Sequence, residues 1–263
     1  MPGPCLCYAC PVSRPLILVS NDDGVSARGI EILAEAAAEY GDVIVCAPAG
    51  EQSAMSHAIT LHANLRVREV REGWFAITGT PVDSVYLGAL HICPRPPDIV
   101  LAGINDGYNL GTDVFYSGTV GAAREGRLRG ASAAAFSVKS RTDHEVVLPA
   151  VHAVVPRLIE RHQRGERHLL NVNAPPPPSP GTPMDLEVVR LGRRRYQDKV
   201  ERREDLMGRP YYWIGGPPTP SDDEDDGDIR VAHAGKISVT PIELDITAPE
   251  LDQWAAWIKE EST

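Results

Sequence analysis

The sequence predicts an α/β protein, a doubly wound and mostly parallel sheet followed by a β-rich C-terminal extension. Three observations carry that prediction. Leu16-Ile17-Leu18-Val19-Ser20 and Val43-Ile44-Val45-Cys46-Ala47 are continuous apolar runs without the alternation of a strand that has one wet face, so both read as strands buried on two sides. Residues 30–40 between them place Ile30, Leu33, Ala34 and Ala37 at helical spacing, and Gly41 stops the helix. A strand, a helix and a strand in that order make a right-handed crossover between parallel strands. Beyond the proline run 175–178 the pattern changes to β-like segments divided by long polar connections.

The alternation continues along the chain. Trp74-Phe75-Ala76-Ile77 reads as a strand, and residues 81–90 as a helix with Pro81 near its first turn. Ile99-Val100-Leu101-Ala102 is a further strand, residues 120–129 a helix, and the second half of 131–138 a strand. Residues 146–161 read as a helix that Pro149 and Pro156 should limit or kink, and Leu169-Leu170-Asn171-Val172 closes the series. The body therefore spans residues 15–178. Within 179–247 the β-like segments are 186–191, 211–214 and 236–240. They hold too little core to stand alone, so the extension is expected to pack on the body or on another subunit. The last segment, 248–263, contains a short helix with Leu251, Trp254 and Ile258 on one face.

The composition bounds the function. At 263 residues, 43% hydrophobic and 24% charged, the chain can bury a full core without disulfide staples. Aromatic residues are 6%, so aliphatic side chains and alanine must fill that core. The net charge of −10 argues against a stable nucleic-acid partner, because the phosphate backbone would be repelled. Residues 222–228 hold six carboxylates in seven positions and read as a solvated loop. The five cysteines show no pairing framework, which points to a reducing, cytoplasmic setting. Cys5, Cys7 and Cys10 crowd a leader, residues 1–14, that reads as a disordered tail or part of a metal site and lacks the pattern of a secretory signal. No stretch approaches the length of a membrane span.

The polar turns after the strands carry the chemistry. In an open parallel sheet, ligands bind beyond the carboxyl ends of the strands. Asn21-Asp22-Asp23-Gly24 follows the first strand there. Its adjacent carboxylates repel unless a cation lies between them, although Asp23-Gly24 alone is also an ordinary turn signal. The second strand leads to Gln52 and Ser53, and the strand ending at Ala102 leads to Gly103, Asn105, Asp106, Gly107, Asn109 and Gly111. Three strands thus bring Asp22, Asp23, Ser53 and Asn105 to one edge, an oxygen-rich set suited to Mg²⁺ or Mn²⁺. Tyr116-Ser117-Gly118-Thr119-Val120-Gly121 opens a helix whose hydroxyls and free N–H groups suit a phosphate, or serve as an N-cap alone. Gly79-Thr80-Pro81-Val82-Asp83-Ser84 opens another helix near the same edge. G-x-G-x-x-G after the first strand, the P-loop pattern and G-x-S-x-G are all absent, which disfavours dinucleotide binding, P-loop chemistry and a Ser53–His57 esterase.

These motifs resemble the SurE family, the survival-protein-E nucleotidases, over nearly everything from residue 15 to residue 247. The resemblance rests on Asn21-Asp22-Asp23-Gly24, Ala47-Pro48 with Glu51-Gln52-Ser53, Gly79-Thr80-Pro81 with Asp83, and Gly103-Ile104-Asn105 with Gly107, Asn109 and Gly111. It continues through residues 116–126, Asn171-Val172-Asn173-Ala174-Pro175, Tyr211-Tyr212-Trp213 and Ser238-Val239-Thr240-Pro241. Two positions depart from the family pattern: Ala54 follows Ser53 where glycine is common, and Asp106 adds a carboxylate beside Asn105.

The resemblance implies a Rossmann-like body with a C-terminal oligomerisation extension exchanged between subunits of a homodimer or homotetramer. It implies a metal-dependent phosphomonoesterase acting on nucleoside 5′- and 3′-monophosphates, with short polyphosphate as a further substrate. One divalent cation per subunit, Mn²⁺ or Mg²⁺, would be held by Asp22, Asp23, Ser53 and Asn105. Phosphate contacts would fall on Asn109, Ser117, Gly118 and Thr119, and the catalytic set would be Asp22, Asp23, Asn105 and Ser117. A non-catalytic nucleotide-binding module is the alternative reading.

Overall fold

The computed structural model describes residues 14–140, 143–179, 181–197, 199–217, 219 and 227–259. The leader cysteines and most of the 222–228 acidic run lie outside them.

In chain order, the body consists of β1 (Leu16–Ser20), α1 (Arg28–Ala38), β2 (Asp42–Pro48), β3 (Val67–Arg71), β4 (Trp74–Ile77), α2 (Pro81–Leu87), β5 (Ile99–Asp106), α3 (Gly118–Leu128), β6 (Ser132–Val138), α4 (Leu148–Gln163) and β7 (Leu169–Ala174). The C-terminal part adds β8 (Leu186–Val188), β9 (Lys199–Glu204), β10 (Pro210–Gly215), α5 (Asp228–His233), β11 (Ile237–Pro241) and α6 (Leu251–Lys259).

Among the described residues, nine strands form one sheet in the order β3-β4-β2-β1-β5-β6-β7-β11-β8. The six from β4 to β7 run parallel, as their two-sided burial requires. The chain winds from β1 outward to β2 and β4, then returns to β5 and winds the other way through β6 and β7. The order therefore reverses between β1 and β5, and the crevice at such a switch point is where open α/β sheets bind ligands.

Strand alternation divides the core in two. Ile17, Val19, Leu101, Ala134, Phe136 and Val172 pack on the layer of α1 and α4. Leu18, Val100, Ala102, Ala133, Ala135 and Leu169 pack on the layer of α2 and α3. Ile17, Leu18 and Val19 have no exposed surface, and each buried side chain of this size contributes roughly 1.5–3 kcal/mol. The small alanines of β6 let α3 lie close on the sheet, where Gly126 leaves no room for a Cβ against Val100.

Several elements differ from the sequence expectation. The strand at 132–138 is formed along its whole length, because alanine packs under helices on both faces. The helix expected over 146–161 is preceded by a 3₁₀ turn, His144–Val147, and continues to Gln163. Pro149 lies in its first turns, where a missing N–H is harmless, and Pro156 is accommodated inside it. The helix at 81 gives way at Gly88 to a π-helical turn, Gly88–Ile92. β3, β9 and α5 were not legible, since β3 and β9 are charged and exposed and α5 is one and a half turns long.

Part of the extension completes the main sheet. β11 pairs antiparallel with β7, and β8 pairs parallel with β11. β9 and β10 form a separate antiparallel hairpin. Asp228 corrects the reading of the acidic run as a solvated loop. It is fully buried and accepts hydrogen bonds from the backbone N–H groups of Gly111 (2.9 Å to Oδ2) and Gly192 (2.9 Å to Oδ1). A carboxylate tolerates burial when backbone donors take the place of water. Among the described residues no helix is long and apolar enough to cross a membrane.

Candidate functional site

The turn after β1 is built by Asn21. Its side chain is fully buried, accepts from Gly24 N–H at 3.1 Å and donates to the Gly24 carbonyl at 2.9 Å. Gly24 completes the turn at φ +101°, a conformation that disfavours a side chain. The amide thereby fixes the loop that carries Asp22 and Asp23.

Asp22 is 4% exposed and lies against the start of α3. Thr119 Oγ1 donates to its Oδ1. A Cβ placed on Gly118 would meet both the Asp22 Cβ and Oδ2 at 3.0 Å, so any larger residue would make the carboxylate give by a few tenths of an ångström. Burial raises the Asp22 carboxyl to about 6; the Thr119 hydrogen bond pulls it down and neighbouring Asp23 pushes it up. Asp23 is also raised, first by burial and then by the carboxylates of Asp106 and Glu51, while the Asp106 backbone N–H and His144 act in the opposite direction. Among the described residues neither carboxylate has a Lys or Arg ion pair, so the pair is a region of uncompensated negative charge that suits a cation.

Ser117 caps α3 by accepting from Val120 N–H at 3.1 Å, and Gly121 N–H returns to the Ser117 carbonyl at 3.0 Å. The N–H groups of Gly118 and Thr119 precede that first intrahelical bond and face out of the helix end, as an anion site requires. Both readings of this segment, cap and anion site, are thus compatible in one structure.

Ser53 is exposed and donates to Glu51 Oε1 at 2.9 Å. Its loop is tied to the first by Gln52 N–H donating to the Asp22 carbonyl at 2.7 Å. Asn105 ends β5, where the register with β6 shifts between Ala102 and Asn105, a bulge that re-aims the side chain. Its amide nitrogen donates to the Gly107 carbonyl at 2.7 Å, which turns the amide oxygen the other way. Asp22 and Asp23, in the turn after β1, and Asn105, near the end of the adjacent strand β5, thus lie at the switch point. Asn109 lies deeper, buried, with its amide nitrogen on Ser137 Oγ at 2.8 Å.

His57 does not pair with Ser53. Its Nε2 is 2.9 Å from Oε2 of buried Glu125, which also meets Arg129 Nε at 2.9 Å. With Ser53 on Glu51 and His57 on Glu125, the serine-esterase dyad is not assembled. Thr80 and Asp83 form a reciprocal capping box at α2, and Asp83 also accepts from the Thr60 N–H and hydroxyl, so this segment positions a loop. His144 near Asp23 has no spacing that marks it in sequence, whereas Glu125 and the asparagines of β7 fall within motifs of the family resemblance, which gave them no role. The signal for the last is two polar residues alternating within a strand that the fold buries on both faces.

The chain was compared with known proteins. The family model described as "Survival protein SurE" matches residues 17–198. A relative from Sorangium cellulosum, "5'-nucleotidase SurE", is 45% identical over 248 residues, covering 90% of this chain and 93% of its own length. A protein of the same name from Anaeromyxobacter sp. is 46% identical over 233 residues, covering 87% and 90%. The SurE protein crystal structure from Aquifex aeolicus aligns at a TM-score of 0.79 with 33% identity, covering 94% of this chain and all of that one.

Proposed function

Because the chain belongs to the SurE family, we propose that it is a nucleotide phosphatase that uses one divalent cation to release phosphate from nucleoside 5′- and 3′-monophosphates, with short polyphosphate as a further substrate. The observation that carries the reading is the buried Asp22 carboxylate set against the N-terminus of α3, with Asp23 beside it and Asn105 on the next strand. Negative charge and helix-end donors face one crevice, and a phosphate would be repelled from it unless a cation offset the charge of the carboxylates.

The donor set fits a hard cation: two carboxylates above their ordinary range, an amide oxygen and a hydroxyl. Asp22, Asp23, Asn105 and Ser53 would hold Mn²⁺ or Mg²⁺. When bound, the ion supplies Lewis acidity, drawing charge from the phosphoryl oxygens and acidifying a water. The protein supplies the rest. Thr119 keeps Asp22 oriented and ionisable. Gly118 N–H, Thr119 N–H and the Ser117 hydroxyl bind phosphoryl oxygens and stabilise the charge that grows on them. Hydrolysis breaks the ester P–O bond, adds hydroxide from water to phosphorus and returns a proton to the nucleoside oxygen.

A homodimer or homotetramer is part of this reading. Its support is the apolar surface left exposed on β10, with Tyr211, Tyr212, Trp213 and Ile214, and on α6, with Leu251, Trp254, Trp257 and Ile258. Patches of this kind mark contact surfaces.

The test is phosphate release from a panel of nucleoside monophosphates after chelator treatment, then with Mn²⁺ or Mg²⁺ restored. Activity lost with the chelator and regained with the ion is expected. Release that resists the chelator would overturn the cation-dependent reading, and stabilisation by nucleotides without release would favour the binding module.

A further inference from the structure

Asn171 and Asn173 project from β7 on the face that also carries Leu169, and both are fully buried. Their side-chain amides converge on the backbone of one residue, Asn109, binding the two peptide groups that flank its Cα. Asn109 N–H donates to Asn173 Oδ1 at 2.8 Å, and the Asn109 carbonyl accepts from Asn171 Nδ2 at 2.7 Å and from Asn173 Nδ2 at 3.2 Å. The Asn109 side chain donates to Ser137, the register partner of Asn173 on β6. We propose that Asn171 and Asn173 are positioning residues for turnover, a side-chain clamp that holds the backbone of Asn109 and so fixes the loop from Asn105 to Gly111. The proposal rests on the phosphatase reading, since the loop joins a cation ligand to the phosphate contact.

The loop needs such a clamp. Gly107 and Gly111 bracket Asn109 with positive φ, +148° and +54°, so the intervening backbone has little conformational preference of its own. Asp228 holds the far end at Gly111, and the asparagines hold the middle. The choice of residue is costly for packing alone. Valine or leucine would fill these positions, whereas a buried amide left unpaired costs about 1–3 kcal/mol. Opposite on β11 lie Ser238 and Thr240, also buried, so the polar band continues into the strand contributed by the C-terminal extension. An amide pair can bind both the backbone N–H and the backbone C=O of one residue, which no apolar side chain can do.

The test compares Asn171→Ala and Asn171→Asp with wild type, using adenosine 5′-monophosphate and saturating Mn²⁺. For Asn171→Ala, kcat/KM should fall about ten- to a hundred-fold, the effect of a small displacement of a positioned group. Most of the loss should appear in KM, with the Mn²⁺ midpoint in a thermal-shift titration unchanged. For Asn171→Asp the deficit should shrink as pH falls, because the protonated acid can donate to the Asn109 carbonyl while the carboxylate cannot. The Asn171→Ala deficit should not vary with pH. Kinetic constants at wild-type values in a destabilised Asn171→Ala would overturn the proposal, as would equal pH profiles for the two variants. If Asn171→Asp fails to fold, Asn171→Ala decides alone. Absence of release by the wild type would instead defeat the phosphatase reading. Hydrogen exchange at residues 107–111 would then judge the clamp, with faster exchange expected in Asn171→Ala and unchanged exchange overturning it.

Discussion

The Thr119 hydroxyl donates to the Asp22 carboxylate, joining the turn after β1 to the first turn of α3 across 97 positions of sequence. The bond couples the carboxylate proposed to face the cation to the helix end proposed to face the phosphate. It also sets the acidity of the site, since it works against the rise that burial imposes on Asp22. Thr119→Val keeps the shape and removes the donor. A hydrogen bond to a charged group is worth roughly 1.5–3 kcal/mol, about ten- to a hundred-fold in kcat/KM. The acidic limb of the pH–rate profile should move to higher pH, and an unmoved limb would show that Thr119 does not tune Asp22.

Asp22 should weaken the cation-free fold. Its carboxyl titrates at about 6 in the folded protein against 3.8 in the unfolded chain. Between those values the folded state holds more protons, so stability falls as pH rises from about 4 to about 6 and stays lower above, by roughly 2–3 kcal/mol. Asn at this position removes the charge. Chelated Asp22→Asn should therefore unfold at a higher temperature than chelated wild type at pH 7.5, and at nearly the same temperature at pH 4, while losing about two orders of magnitude or more in kcat. Calorimetry across that pH range, paired with phosphate release, measures both.

Mn²⁺ should reverse that penalty. A ligand present at 100 times its dissociation constant stabilises by about 2.7 kcal/mol. The melting temperature of the wild type should climb with Mn²⁺ concentration, and Asp22→Asn should show little response.

Gly118→Ala places a methyl carbon 3.0 Å from the Asp22 Oδ2 and Cβ and 3.2 Å from Pro81 Cγ. Alanine is a good residue for a first helical turn, so the variant should fold. The carboxylate must give by a few tenths of an ångström, and turnover should drop, by less than the roughly hundred-fold that a 1 Å misplacement costs. Wild-type kcat in Gly118→Ala would mean that the approach of helix to carboxylate is not needed.

Asp228→Ala removes the acceptor for Gly111 N–H, which is buried, and for Gly192 N–H, which is half-buried. Unsatisfied buried donors cost about 1–3 kcal/mol each, so the urea midpoint should fall with the slope of the transition unchanged. A midpoint at the wild-type value would show that water replaces the carboxylate.

Much of this molecule is written locally. The buried strands β1, β2 and β5 announce themselves through their apolar runs, as strands covered on both faces must, and Gly41 and Pro81 mark helix ends through backbone geometry. Asp22, Asp23, Asn105 and Ser117 were legible as candidates because the turns beyond the carboxyl ends of parallel strands are where open α/β sheets bind ligands. What sequence could not convey is which strands lie side by side. β1 and β5 are neighbours although about eighty residues separate them, and that adjacency brings Asp22, Asp23 and Asn105 to one crevice. Asp228 looked like one more member of a solvated acidic run, and only the placement of α5 beside Gly111 gives it backbone donors to bury against. Asn171 and Asn173 stood in sequence only as members of a strand and a family motif, with no partner assigned. Their partner is the backbone of Asn109, brought to β7 by the sheet order, because hydrogen bonds between distant segments depend on a register that no local pattern encodes.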